Sequence, residues 1–181
     1  MSETVDDVLQ FWFESLTPAQ WFAKDPELDQ EITSRFQRLH ERANVGELYG
    51  WRKTGQGRLA EIIVLDQFSR NIFRDTPTAF SQDALALVLA QEAVSAGADR
   101  SLEATWRAFL YMPYMHSESS LIHEVAVELF DQEGLEENLR FEFQHKEIID
   151  RFGRYPHRNA ILGRQSTPEE VEYLKQPGSS F

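Results

Sequence analysis

The sequence predicts an all-α protein of stacked antiparallel helical hairpins, about nine helices in a single domain spanning residues 1–181. Three observations carry that prediction. Apolar residues recur at helical spacing, as in Leu121, Ile122, Val125, Ala126, Leu129 and Phe130, and no segment alternates at period two between turn pairs. Capping residues stand directly before proline at Thr17-Pro18, Asp25-Pro26, Thr76-Pro77 and Thr167-Pro168. A proline at the first helical position loses no hydrogen bond and already holds a helical φ. Interhelical connections such as 98–100 and 134–136 are short, which makes successive helices antiparallel neighbours.

Taken in order, helices are predicted at 3–15, 18–23, 26–44, 57–73, 78–96, 101–115, 118–132, 137–151 and 168–175. Gln20 and Glu170 stand at the third position of their helices, so Thr17 and Thr167 open full capping boxes. Segment 59–73 is apolar nearly all round and is predicted to be the central helix, packed on several sides. Pro113 is expected to end or kink its helix, with Ser117 capping the next, which places His116 and Glu118 at a helix N-terminus. Residues 176–181 are expected to form a loose tail unless Phe181 docks.

Composition narrows the function. With 18 Lys and Arg against 30 Asp and Glu, the chain carries a formal charge of −12, so nucleic acid and anionic membrane surfaces are not expected partners. Cysteine is absent, which removes thiol nucleophiles, thiolate metal sites and disulfides. The N-terminal MSETVDD is acidic where a secretory signal is basic, and the longest apolar run, 84–90, is far too short to span a bilayer; a cytoplasmic location is the expectation. No HExxH, EF-hand run, GxGxxG, Walker loop or GxSxG elbow occurs, so neither a metal nor a cofactor is expected. His116-x-Glu118 matches half of a zinc-deaminase signature whose cysteine half does not exist here.

Candidate functional residues are the polar groups that interrupt apolar stripes, because burying a polar group requires a partner. Asp66 and Arg70 lie one turn apart on the central helix and can pair, either as a structural strut or at a site. His145 shares a face with Phe141, Ile148, Ile149 and Phe152, and His116 and Glu118 follow an apolar run; these three are the acid/base candidates. His40 and His123 look like surface residues. Segment 151–164 holds Arg151, Arg154, Arg158, Arg164 and His157, no acid, and Gly153, Pro156 and Gly163, so it is predicted to be a loop. Its guanidinium groups suit an anion, or they tie the loop to acidic helices of the same chain.

Several strings carry a resemblance: FWF at 11–13, WFAKD at 21–25, LDQFSRN at 65–71, AFSQDALAL at 79–87, FLYMPYMHSE at 109–118 and RFGRYPHRNAILGRQSTPEE at 151–170. Together they resemble a bacterial family of uncharacterised proteins, a domain of unknown function. The resemblance implies an all-helical fold similar to the tetratricopeptide-like superhelix and implies no reaction. The proline usual in the family's LDQFPRN string is Ser69 here, which restores a backbone donor and puts a local kink in doubt.

The same strings contain or adjoin Asp66, Arg70, Asn71, Arg107, Tyr111, Arg151, Arg154, His157, Arg158 and Asn159, which are expected to converge with His116 and Glu118 on one polar cleft. Three functions fit. One is a binding module for a small anionic molecule or a peptide. Another is an enzyme on a phosphorylated or carboxylated substrate with a histidine acid/base. In the last, the polar cluster is structural and the protein acts in assembly, with Phe11-Trp12-Phe13 covered by other helices or by a partner chain, a homo-oligomer included.

Overall fold

Helices begin where a side chain can take up the orphan N–H groups of a first turn. Asp25 accepts from the Glu27 and Leu28 amides at 2.9 and 3.3 Å, and the Thr17–Gln20 and Thr167–Glu170 boxes both form. The computed structural model describes residues 3–179. Its α-helices are α1 (Val5–Gln10), α2 (Pro18–Trp21), α3 (Pro26–Asn44), α4 (Gly55–Ile72), α5 (Asp83–Ser95), α6 (Ala104–Met115), α7 (Ser120–Phe130), α8 (Glu136–Phe152) and α9 (Pro168–Tyr173). A π-helical turn occupies Phe11–Ser15, and short 3₁₀ turns occupy Tyr49–Lys53, Pro77–Phe80, Ala98–Ser101 and Pro156–Arg158; no strand occurs among the described residues. From α3 to α8 each helix packs on the next, and α4, α6 and α8 also touch one another in a row. No helix among the described residues is long and apolar enough to cross a membrane.

Helix α4 lies at the centre, with Leu59, Ile62, Ile63, Val64, Leu65 and Phe68 all fully buried. Its start is held close to the preceding 3₁₀ turn: a Cβ on Gly57 would come within 1.9 Å of the Trp51 carbonyl oxygen. The π turn lets Phe11, Trp12 and Phe13 point in three directions. Phe11 meets Phe36 and Phe68, Trp12 meets Phe68 and Phe109, and Phe13 stacks on Trp106 with centroids 5.1 Å apart. The chain's own helices therefore bury Phe11 and Trp12 and pack against the half-buried Phe13.

Several boundaries differ from the expectation. Segment 78–96 divides into the 3₁₀ turn at Pro77–Phe80 and α5, which places Asp83 in the first turn of α5. Pro113 does not end α6, which runs two residues further to Met115, where the last amides still bond to the preceding turn. His116 caps the C-terminal end of α6, and Ser119 rather than Ser117 precedes α7, so His116 and Glu118 lie in a connector and not at a helix N-terminus. In the tail, residues 176–178 are exposed and Ser179 is buried and donates to the Leu174 carbonyl at 3.1 Å; Phe181 lies outside the described residues.

Helix α4 runs unbroken through Ser69. The Ser69 hydroxyl donates to the Leu65 carbonyl at 2.5 Å and receives the Nε2 proton of His40 at 2.7 Å. His40 is thus a fully buried residue, correcting its expected place on the surface, and burial lowers its pKa so that it stays neutral.

Phe68 touches the rings of Phe11, Trp12 and Phe36 with no exposed surface. Phe68→Ala is expected to cost about 3–5 kcal/mol in urea unfolding; a loss below 1 kcal/mol would contradict α4's central place.

Candidate functional site

The site starts from Asp66, whose carboxylate is fully buried on α4. Its Oδ1 lies 2.7 Å from His116 Nδ1, and its Oδ2 accepts from Gln67 Nε2 at 2.6 Å. The expected pairing with Arg70 forms, with Nη1 2.7 Å from the Asp66 carbonyl oxygen and 3.4 Å from its carboxylate. Burial by itself raises the Asp66 pKa, but His116, Arg70 and Gln67 outweigh it and hold the carboxylate ionised. Burial and the Arg70 cation push His116 below its ordinary value against the pull of Asp66. A neutral His116 facing an ionised Asp66 carries its proton on Nδ1, which leaves a lone pair on Nε2. Nε2 has no hydrogen-bond partner among the described residues, and the side chain keeps 17% of its surface exposed.

Arg70 reaches across to α5, donating from Nη1 and Nη2 to the two oxygens of Asp83 at 3.0 and 3.2 Å. Asp83 Oδ2 also accepts from Arg158 Nη1 at 3.3 Å. Arg158 comes from the 3₁₀ turn at Pro156–Arg158, just past the point where Gly153, at φ +68°, ends α8. Its guanidinium lies between the rings of Phe80 and Tyr155, 4.7 and 4.6 Å from their centroids. The residue is 6% exposed, its Nε is buried without an acceptor, and Asp83 is the one acceptor it has among the described residues. Burial and the nearby Arg70 cation lower the Arg158 pKa. Asp66 and Asp83 balance Arg70 and Arg158 in formal charge, so what this corner lacks is hydrogen-bond acceptors.

The other arginines of the loop are struts. Arg154 makes a bidentate pair with buried Glu170 at 2.7 and 2.8 Å and also donates to the Gln165 carbonyl. Arg164 holds Glu118 in the same way at 2.6 and 2.9 Å, and Arg151 pairs with Glu169 at the surface. Asn159 donates to Glu170 and Ser166. Arg151, Arg154, Asn159 and Arg164 are thus engaged by acidic or polar groups of the loop and its neighbours, whereas Arg158 has Asp83 as its one acceptor among the described residues. Glu118 also receives the Tyr155 amide at 2.7 Å, so both its oxygens are occupied and its expected acid/base role gives way to a structural one.

The remaining histidines are held neutral or paired. His145 on α8 donates from Nδ1 to the Phe141 carbonyl at 2.7 Å, and burial lowers its pKa to about 3. Burial, followed by the Arg158 cation, lowers His157 to about 4. His123, expected on the surface, is fully buried between Glu142 at 2.6 Å and the Ser117 carbonyl at 2.8 Å. Because Nε2 must donate to the carbonyl, Nδ1 meets Glu142 either as acceptor from a carboxylic acid or as a second donor to a carboxylate. Burial raises the Glu142 pKa against the pull of His123.

Convergence on one cleft is thus partial. Asp66, Arg70, His116 and Arg158 come together, with His145, His157 and Glu118 beside them. Asn71 belongs to a separate cluster, donating to Asp29, which also binds Arg74. Tyr111 is a core residue of α6 that faces away from this corner, donating to Asp99 at 2.6 Å and packing on Phe130, with Arg107 beside it. Asp83, Phe80 and Tyr155 were not singled out from sequence. Asp83 signals itself only as an acid opening an apolar helix. No group of three or more His, Asp or Glu side chains among the described residues is arranged to hold a metal.

The model of a family described as "Bacterial protein of unknown function (DUF924)" matches residues 8–178. The chain belongs to this family. It is similar in structure to the Protein of Unknown Function ATU0120 from Agrobacterium tumefaciens, with a TM-score of 0.91 and 38% identity over 96% of this chain and 97% of that one. No curated protein matches the chain.

The depressed histidines set an acid limit on stability. His145 and His157 titrate near 6.5 when unfolded, so the stability they confer by staying neutral is complete above pH 6.5 and is lost as the pH falls toward 4 and 3. Each adds a slope of up to about 1.4 kcal/mol per pH unit. The urea midpoint is expected to drop between pH 6.5 and 5, and less so in a His145→Asn, His157→Asn double variant; equal slopes would refute this origin.

The His123–Glu142 pair gives a second expectation. Glu142→Gln keeps a donor for Nδ1 and is expected to fold normally, whereas Glu142→Ala strands a buried nitrogen and is expected to cost about 1–3 kcal/mol or more in chemical denaturation.

Proposed function

We propose that the protein is a binding module for a small carboxylated or phosphorylated molecule, seated on Arg158 and Arg70 in the cytoplasm. The observation that carries this reading is the Arg158 guanidinium: buried, oriented between two aromatic rings, and bonded to one acceptor at 3.3 Å. A planar fork so placed suits bidentate capture of a carboxylate or phosphate, and partial burial strengthens such a charge-assisted pair. Arg70 and Asp83, which border it, are themselves partly exposed. A peptide-binding groove is less well supported. The depression between α8 and the C-terminal segment, lined by Gln144, Ile148, Arg151, Phe152, Tyr173 and Pro177, offers one cation, and that cation is already paired with Glu169. The aromatic triplet gives the assembly reading little support, because Phe11 and Trp12 are buried against Phe36, Phe68 and Phe109 of the same chain.

Thermal melting with inorganic phosphate, malonate and oxalate tests the proposal. An anion at 100 times its dissociation constant adds about 2.7 kcal/mol to the folded state. At least one of these anions is expected to raise the midpoint in wild type and in Arg154→Gln, and none in Arg158→Gln. Arg154→Gln, which strips a partner from buried Glu170, is expected to lower the unliganded stability by about 1–3 kcal/mol. No shift in wild type, or an equal shift in Arg158→Gln, would overturn the assignment.

A further inference from the structure

The anion seat adjoins a histidine that binding alone does not require. His116 bonds to Asp66 through Nδ1 at 2.7 Å, and Asp66 is linked through Arg70 and Asp83 to Arg158, so the dyad and the seat share one continuous network. An ionised carboxylate behind Nδ1 fixes the tautomer that presents a lone pair at Nε2, and it stabilises the imidazolium that forms when Nε2 takes up a proton. Asp66 is suited to that task because it is fully buried and its other oxygen is occupied by Gln67. Nε2 is unpartnered among the described residues and on a partly exposed ring, in contrast to the other polar candidates here: Glu118 is saturated by Arg164 and Tyr155, His145 is bonded to the Phe141 carbonyl, and His123 is sealed.

We propose that His116 is a general base, positioned by Asp66, that removes a proton from a small carboxylate or phosphate held by Arg70 and Arg158. This inference rests on the anion seat described above. Its substrate carries an acidic O–H or C–H beside the anionic group. In the step, the Nε2 lone pair takes that proton, the bonding electron pair stays on the substrate, and the imidazolium charge is offset by Asp66. The proton is returned to product or solvent, with no oxidant, reductant or metal required. Binding by the arginines would then serve to hold the reacting group in reach of Nε2, which is how positioning contributes to rate.

Iodoacetate is a direct probe, because it is a small carboxylate with an electrophilic carbon. The Nε2 lone pair displaces iodide and becomes carboxymethylated, and no cysteine exists to compete. Peptide mass mapping at neutral pH is expected to find His116 modified about 10-fold or more faster than any other of the 5 histidines, with phosphate protecting it. Neutral iodoacetamide is expected to lose this preference, as is iodoacetate on Arg158→Gln. Asp66→Asn is expected to slow labelling; should that variant not fold, the wild-type comparison of the two reagents decides by itself. Failure of iodoacetate to prefer His116 overturns the general base while leaving the seat intact, provided phosphate still shifts the melt through Arg158. Equal reaction with both reagents overturns the anionic substrate class and the seat with it.

Discussion

The constraint on which the fold turns is that a helix buried on all sides carries polar residues, each of which must be met. Helix α4 presents Glu61 to Arg52 in the preceding turn, Asp66 to His116 at the end of α6, Ser69 to His40 on α3, Arg70 to Asp83 on α5 and Asn71 to Asp29 on α3. Apolar contacts tolerate sliding and rotation, but a buried donor or acceptor left unmet costs more than it gains when satisfied. The preceding turn, α3, α5 and the end of α6 are therefore each pinned against α4 by polar contacts of their own, while Phe68 and the aliphatic side chains supply the area that drives association.

The arginine-rich loop shows how one composition divides between structure and chemistry. Arg154 and Arg164 close bidentate pairs with Glu170 and Glu118, and Glu170 serves at once as capping residue of α9 and as anchor of the loop. Those pairs make a rigid frame of a segment with a single short 3₁₀ turn. Arg158, mounted in that frame and steadied by two rings, is the one guanidinium of the loop whose hydrogen-bonding capacity the protein leaves largely unused. Loops on rigid scaffolds commonly carry binding groups for this reason.

Much of this was legible in the sequence where its causes are local. Caps before proline, the buried all-round helix and the Asp66–Arg70 spacing depend on residues within one or two turns, and they appeared as expected. The π turn, the split before α5 and the partnership of Asp83 with both Arg70 and Arg158 depend on packing between segments up to 75 positions apart, which no periodicity records. The burial of His40 is legible in its spacing, since it stands four residues after Phe36 and three before Ala43, on the buried face of α3. Single-cleft convergence failed for Asn71 and Tyr111 because a polar residue in a shared string can face either side of its helix, and the string does not say which.

Glu118 has a mechanical meaning as well as an electrostatic one. It lies two residues past His116, and it grips both the Tyr155 amide and Arg164 across the loop that bears Arg158. His116 and Arg158 are thus bolted to the same bracket, although 42 positions of chain separate them. A displacement of the loop carries the connector with it, so the spacing between the two groups is held by a short cross-brace and not by the long chain path around α7 and α8. Thermal motion of this corner should then be that of one small rigid body, with its looseness transferred outward to the exposed tips of the helices.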